Sequence, residues 1–303
     1  MKRRNFLKTA TATGSLLASQ SLHTLAKKME TNLQVLALNT NWGFNGNIDS
    51  FCQKTKADGF DGIEIWWSND VESTKALFNA LQKYELEVGF LTTGNSSEPK
   101  EHINTFKKSI DAILVNQFQK PLYINCHSGK DFFSFEDNSQ IIDYTIEKST
   151  QSGIEIFHET HRSRMCFAAH ITKNFLDKFE NMQLTLDISH WVNVHESMLD
   201  SMELIVEKAL QRTGHIHARV GHPEGPQVND PRAPEWKSVL EKHIAWWDKV
   251  MKYREQSGAK RMTFLTEFGP PTYLPTLPYT QQPVADQWAI NVFMKNLIKE
   301  RYA

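Results

Sequence analysis

Cysteine is scarce in this sequence, long uncharged apolar runs are absent, and net charge is close to zero; each shortage removes a class of protein. The three cysteines among 303 residues, Cys52, Cys126 and Cys166, lie far apart and show no CxxC spacing. An odd, scattered set makes no disulfide framework, so buried free thiols are expected. Cys126 stands beside His127 at the end of an apolar stretch, which leaves a catalytic thiol as the alternative there. No interior segment reaches the roughly 18 uncharged apolar residues of a membrane span. The formal net charge of −1 and the pI near 6.9 set up no field that would draw nucleic acid, an anionic membrane or a polyanion. Small neutral ligands suit such a surface better. Internal repeats and low-complexity stretches are also missing.

Residues 1–30 read as a targeting segment. Lys2-Arg3-Arg4-Asn5-Phe6-Leu7-Lys8 resembles the twin-arginine export motif, with Lys2 where a Ser or Thr is usual. A weakly apolar stretch rich in Ala, Thr, Ser and Leu follows, and Thr24-Leu25-Ala26 is a passable cleavage site. The expectation is a protein that folds with its cofactor in the cytoplasm and works in the periplasm, without a stable membrane anchor. A disordered basic N-terminus on a cytoplasmic protein is the alternative.

From residue 31 to 303, strand-like and helix-like stretches alternate. Strands are expected near 33–38, 62–66, 87–91, 121–125, 154–158, 183–187, 214–218 and 262–266. Helical patterns cover 71–84, 101–118, 135–152, 165–179, 196–212, 233–257 and 284–300, with Gly214 and Gly258 placed as C-terminal stops. Eight β/α units at this length predict one domain, a (β/α)8 TIM barrel, whose catalytic residues belong at the C-terminal ends of the strands. Two proline-dense segments, 222–234 and 268–283, are read as loops framing the entrance, with Tyr273 and Tyr279 as candidate stacking rings.

Four strand-like stretches end on chemistry: Glu159-Thr160-His161-Arg162, Asp187-Ile188-Ser189-His190, His215-Ile216-His217 and Glu267. A carboxylate closing an apolar strand needs a metal or a cationic partner, because an unpaired buried charge is costly. A salt bridge to Arg162 or Arg219 is the alternative to a metal. His215 and His217, two apart on a strand, point the same way, so one would be a ligand and the other its support. His158 points away from Glu159 and is read as structural. Glu64 on the second strand would support the site or pair with an arginine. His195 and His243 are read as surface or helix residues without a role. A divalent ion held by three carboxylates and one imidazole stabilises an enediolate as charge develops, and two glutamates from different strands serve as acid and base.

With Gly62-Ile63-Glu64-Ile65-Trp66, His127, Glu159-Thr160-His161-Arg162, Asp187-Ile188-Ser189-His190, His217 and Glu267 in this order, the chain after residue 30 resembles the xylose isomerase-like TIM barrels. That superfamily includes sugar isomerases, ketose 3-epimerases, inosose dehydratases and apurinic endonucleases. The resemblance implies one divalent metal ion (Mn, Co, Mg or Zn) on Glu159, Asp187, His217 and Glu267, with the two glutamates exchanging protons with the substrate. It implies that His190 touches substrate oxygens. His127, His161, Arg219 and His222 are the further substrate-binding candidates. Arg162, Arg164 and Arg219 and the loop from His222 to Gln227 depart from the epimerase pattern, which separates the reaction from the fold. The expected activity is a sugar isomerase or epimerase acting on a small carbohydrate. A 3-keto-glycoside lyase or hydratase working by β-elimination is the runner-up, and a non-catalytic sugar-binding barrel is the alternative from another class. Near-neutral charge and the export motif argue against a nuclease. A homo-oligomer stays open.

Overall fold

The computed structural model describes residues 28–303, so the twin-arginine motif lies outside the described residues. Eight parallel strands close into a barrel in chain order. They are β1 (Gln34–Thr40), β2 (Gly62–Trp66), β3 (Glu87–Thr93), β4 (Tyr123–His127), β5 (Glu155–Glu159), β6 (Leu184–Leu186), β7 (Thr213–His217) and β8 (Arg261–Thr266). The helices α1 (Ile48–Ala57), α2 (Val71–Tyr84), α3 (Pro99–Leu114), α4 (Phe135–Ser152), α5 (Ala169–Lys178), α6 (Ile188–Val194), α7 (Glu203–Gln211), α8 (Lys237–Gln256) and α9 (Gln287–Tyr302) surround it. β4 and β7 are buried at every position, as parallel strands covered on both faces must be. Met29 N donates to Arg301 O at 2.7 Å, tying the first described residues to the last helix. Among the described residues no helix is long and apolar enough to cross a membrane.

Several expected boundaries move, each for a local reason. α1 and α6 carry no expected helix; α6 begins at Ile188 because Asp187 caps it, its carboxylate accepting from Ser189 N. The helix expected over 196–212 is broken at Leu199, which has a positive φ, so a short 3-10 turn precedes α7. Gly214 does not stop a helix: it is the second residue of β7, and Arg212 ends α7. α9 starts at Gln287, where Asp286 accepts from Ala289 N at 3.0 Å.

The barrel lumen is layered. Leu36, Leu38, Leu122, Tyr123, Phe157 and Leu265 fill its lower part as one apolar cluster. Along each strand every second residue faces inward, so the residues above Tyr123 and Phe157 are Asn125, His127 and Glu159. Gly89 lets Tyr123 reach across, since a Cβ there would lie 2.4 Å from Tyr123 Cζ. Larger apolar clusters lie between strands and helices and hold Cys52, Cys126 and Cys166, all free and buried. Burial pushes the Cys126 thiol well above its ordinary pKa, which removes it as a nucleophile.

Candidate active site

Glu159, Asp187, His217 and Glu267 converge at the C-terminal mouth of the barrel, with one ligand atom from each within 4.8 Å of the others. β5 and β7 end on Glu159 and His217, whereas Asp187 and Glu267 are the residues after β6 and β8. His217 Nδ1 lies 2.8 Å from Glu267 Oε2 and 3.6 Å from Glu159 Oε1. Among the described residues these three buried atoms have no hydrogen-bonding partner of acceptable geometry. Two carboxylate oxygens and a ring nitrogen converging on one point fit a shared cation, either a metal ion or, in its absence, the proton of His217.

A layer beneath holds the four in place. Glu64, from β2, accepts from Tyr123 Oη at 2.8 Å and from Asn125 Nδ2 at 3.3 Å. Its two carboxylate oxygens face His217 Nε2 and His215 Nε2, each at 3.2 Å. A carboxylate on the far nitrogen turns the near one, His217 Nδ1, towards the cluster, the usual support of a metal-binding imidazole. Asn125 Nδ2 also donates to Glu159 Oε2 at 2.8 Å, and His127 Nε2 lies 3.0 Å from the same oxygen. Glu64 therefore pairs with histidines, a tyrosine and an asparagine rather than an arginine.

Arg219 is buried and donates from Nη2 to Asp187 Oδ2, with Glu267 Oε2 3.4 Å away. Its guanidinium also lies 4.8 Å from the ring centre of Tyr273, which Arg162 approaches at 5.1 Å. Ser189 Oγ and N both donate to Asp187 Oδ1. The salt bridge weighed as the alternative to a metal thus forms at Asp187, and Arg219 also approaches Glu267, while Glu159 Oε1, His217 Nδ1 and Glu267 Oε2 have close charged neighbours but no hydrogen bond of acceptable geometry.

Charge in the cluster is uneven. Burial works against a charged His217, yet Glu267, Glu159 and Glu64 outweigh it and hold its pKa well above the ordinary value. For Glu159 burial is again opposed, by His127 and His217, and the carboxyl lies well below its usual range. Burial raises Asp187 to about 6, with Arg219 opposing and Glu267 adding. His161 and His190 go the other way: burial and neighbouring cationic groups lower both, His161 to about 3, so they stand as neutral imidazoles.

The cavity above the cluster measures about 430 Å3, a size ordinary for small-molecule sites. Glu267, Arg219, His127, His161 and Tyr273 line it together with Trp42 and Trp66. His190 lies under His161, ring centres 3.9 Å apart. His222 is not on this wall; it packs on Trp236 and pairs with Gly225 in a tight turn. Tyr279 is fully exposed and also apart, so only Tyr273 of the two tyrosines reaches the cavity. Trp42 and Trp66 were not singled out, although both stand at or just past the ends of β1 and β2, where a barrel keeps its site. Gln227 joins the two loops over the mouth, donating to Gly269 O and accepting from Gly269 N. Asn291 of α9 brackets Phe268 in the same two-way manner, fixing the residue after Glu267.

The histidines outside the cavity are fasteners. His158 bridges Ser128 Oγ at 2.6 Å and Thr145 Oγ1 at 2.9 Å, and burial lowers its pKa to about 3. His243 is no surface residue: it is buried in α8, accepts from Gly221 N at 3.2 Å, and burial lowers it to about 4. Such imidazoles take up a proton near pH 6.5 only when unfolded, so the stability tied to them is complete above that pH and is lost as pH falls towards 3. Each costs about 1.4 kcal/mol per pH unit across that window. Urea midpoints at several pH values should therefore fall more steeply below pH 6.5 in the wild type than in His158→Gln; parallel curves would refute this role for His158.

No family model matches the chain, and no curated protein matches it. Solved structures do. A probable 3-DHS dehydratase, AsbF of petrobactin synthesis from Bacillus anthracis, is 17% identical with a TM-score of 0.56, covering 87% of this chain and 98% of its own. A D-tagatose 3-epimerase-like protein is 14% identical with a TM-score of 0.55, over 88% and 96% of the two chains. A family 2 AP endonuclease from Brucella melitensis is 14% identical with a TM-score of 0.51, over 79% and 94%. At these identities the likeness establishes the fold: a (β/α)8 barrel of the kind those three proteins share.

Proposed function

We propose that the protein is a metal-dependent enzyme that removes a proton next to the carbonyl of a small carbohydrate, through an enediolate. The observation that carries this reading is the convergence of Glu159, Asp187, His217 and Glu267 within 4.8 Å of one another, with Glu267 reaching the wall of the cavity. Glu159, Asp187, His217 and Glu267 would hold the ion; oxygen-rich with one imidazole, they suit Mn, Co, Mg or Zn. When bound, it supplies a fixed positive charge for negative charge developing on substrate oxygens.

The chain's own residues do the rest. Glu159 and Glu267 come from non-adjacent strands, Glu267 on the cavity wall and Glu159 buried beside it in the cluster, so one would take a proton from a carbon that the other serves from a different side. His161, a neutral imidazole, and His127 offer ring nitrogens to hydroxyls, and Arg219, held by Asp187, faces substrate from the wall. Isomerisation and epimerisation differ only in where the proton returns. β-Elimination begins with the same step: the electron pair left on carbon forms a double bond to the next carbon, whose bond to a leaving oxygen breaks, and that oxygen takes a proton from the opposite glutamic acid. AsbF, named a probable dehydratase, and the epimerase-like protein make both outcomes reasonable on this fold.

The test is NMR in D2O of the Mn2+-loaded protein with free ketoses and, in parallel, 3-keto-glycosides. Deuterium in recovered ketose with a new epimer or aldose supports isomerisation or epimerisation; loss of the aglycone supports elimination. Sugar binding without exchange in any compound would instead support a binding barrel. Metal loading should also release a proton, because protonated His217 cannot be a ligand. Affinity should therefore rise with pH beyond 6.5, and the calorimetric enthalpy should scale with the buffer's ionisation enthalpy. Identical enthalpies in all buffers would contradict a protonated His217 in the free site. Periplasmic work after twin-arginine export belongs to the same proposal; a secreted fraction unchanged by Arg3→Lys with Arg4→Lys would overturn it.

A further inference from the structure

A second cavity of about 330 Å3 opens beside the first and shares Asn41, Ile65 and Trp66 with it. It lies at the first turns of α1 and α2, and its wall holds no charged residue and no histidine. Four aromatic residues, Phe44, Phe51, Trp66 and Trp67, line it together with neutral polar residues that include Asn41, Ser68 and Ser73. Trp66 is 48% exposed, a large exposure for an indole at the end of a buried strand, and its ring stands edge-on to His127 at 5.2 Å. Trp67 Nε1 already donates to Asn69 at 2.9 Å, so its polar edge is satisfied by the protein.

We infer that this cavity is a subsite for a second, neutral ring of the substrate, the aglycone sugar of a glycoside whose reacting ring sits over the carboxylate cluster. The contrast between the two cavities is the argument. The first is lined by carboxylate, guanidinium and imidazole, chemistry for a reacting polar ring; the second offers flat apolar faces with neutral hydrogen-bonding groups, which match the C–H faces and hydroxyls of a pyranose. Charged phosphate or carboxylate substituents find no counter-charge there and would pay for desolvation. Trp66, standing on both walls, is where the glycosidic link would cross. An exposed indole left uncovered at the mouth is accounted for by a ring that stacks on it. The inference rests on the carbohydrate reading above and narrows it to glycosides.

The test uses the full Mn2+-loaded chain and tryptophan fluorescence titrations with matched probes: the methyl glycosides, phenyl glycosides and β-linked disaccharides of glucose, galactose, xylose and mannose. Disaccharides of at least one sugar should bind tenfold or more tightly than its methyl glycoside. That ratio should collapse towards one in Trp66→Ala, which removes the stacking face, and in Ser73→Trp, which fills the cavity; both positions are exposed, and circular dichroism verifies their folding. A ratio near one in the wild type, or one preserved in both variants, overturns the subsite. A phenyl glycoside advantage without a disaccharide advantage overturns the sugar as occupant. Glycosides that fail to bind while free ketoses show deuterium exchange overturn this inference alone, whereas absence of both binding and exchange overturns the carbohydrate reading itself.

Discussion

Glu159→Gln and Glu267→Gln should each lower deuterium exchange into substrate by about 10²–10⁴-fold at saturating Mn2+, the range carried by a positioned acid or base. Glutamine keeps the volume and one carbonyl oxygen, so Asn125 Nδ2 still finds an acceptor at position 159. The barrel should therefore keep its circular dichroism. Saturating metal separates loss of the base from loss of a ligand, since affinity for the ion must also weaken when a charged oxygen goes. Exchange within tenfold of wild type in either variant would remove that glutamate from the mechanism.

Arg219→Met should produce the largest stability change. Asp187 is fully buried and its Oδ2 is held by Arg219, so the variant leaves a buried carboxylate without its cation. Breaking such a pair from one side costs about 3–5 kcal/mol. The metal-free protein should melt correspondingly lower. Added Mn2+ should recover most of the difference, because a cation bound by Asp187 replaces the missing charge and any ligand of the folded state raises its stability. Equal melting losses with and without Mn2+ would show that Arg219, and not an ion, is the partner Asp187 requires.

The strands were readable because buried parallel strands are short apolar runs, and those of β2, β4, β5, β7 and β8 end on a polar or aromatic residue. Three of the four ligand candidates were legible for the same reason, Glu159, Asp187 and Glu267 being carboxylates where an apolar strand stops; His217 was chosen over His215 by the family resemblance. Other features depend on what crosses the lumen. Sequence left Glu64 between supporting the site and pairing with an arginine, and its partners, Tyr123, Asn125 and two histidines, are set by what crosses the lumen. α6 was hidden because Asp187 serves at once as strand end and helix cap. His222 failed to arrive because a turn closed by Gly225 folds it back onto Trp236. Arg219 illustrates the reverse: its partner was anticipated, but not that the pairing would leave three ligand atoms without a hydrogen bond of acceptable geometry.

The four converging ligands all come from the second half of the barrel, β5 to β8, whereas Trp42, Trp66, Trp67 and the aromatic cleft come from β1, β2 and the segments that follow them. In the proposed function, reaction and recognition therefore fall in separate stretches of one chain. On that reading, residues 41–47 and 67–70, which follow β1 and β2, can be diversified to retune which partner ring is accepted, with Glu64 and both proposed acid/base glutamates left in place. Changes confined to those segments, rather than around the carboxylates, are the natural route to new selectivity on this scaffold, because Glu64, Asn125 and His127 of the first half brace the cluster.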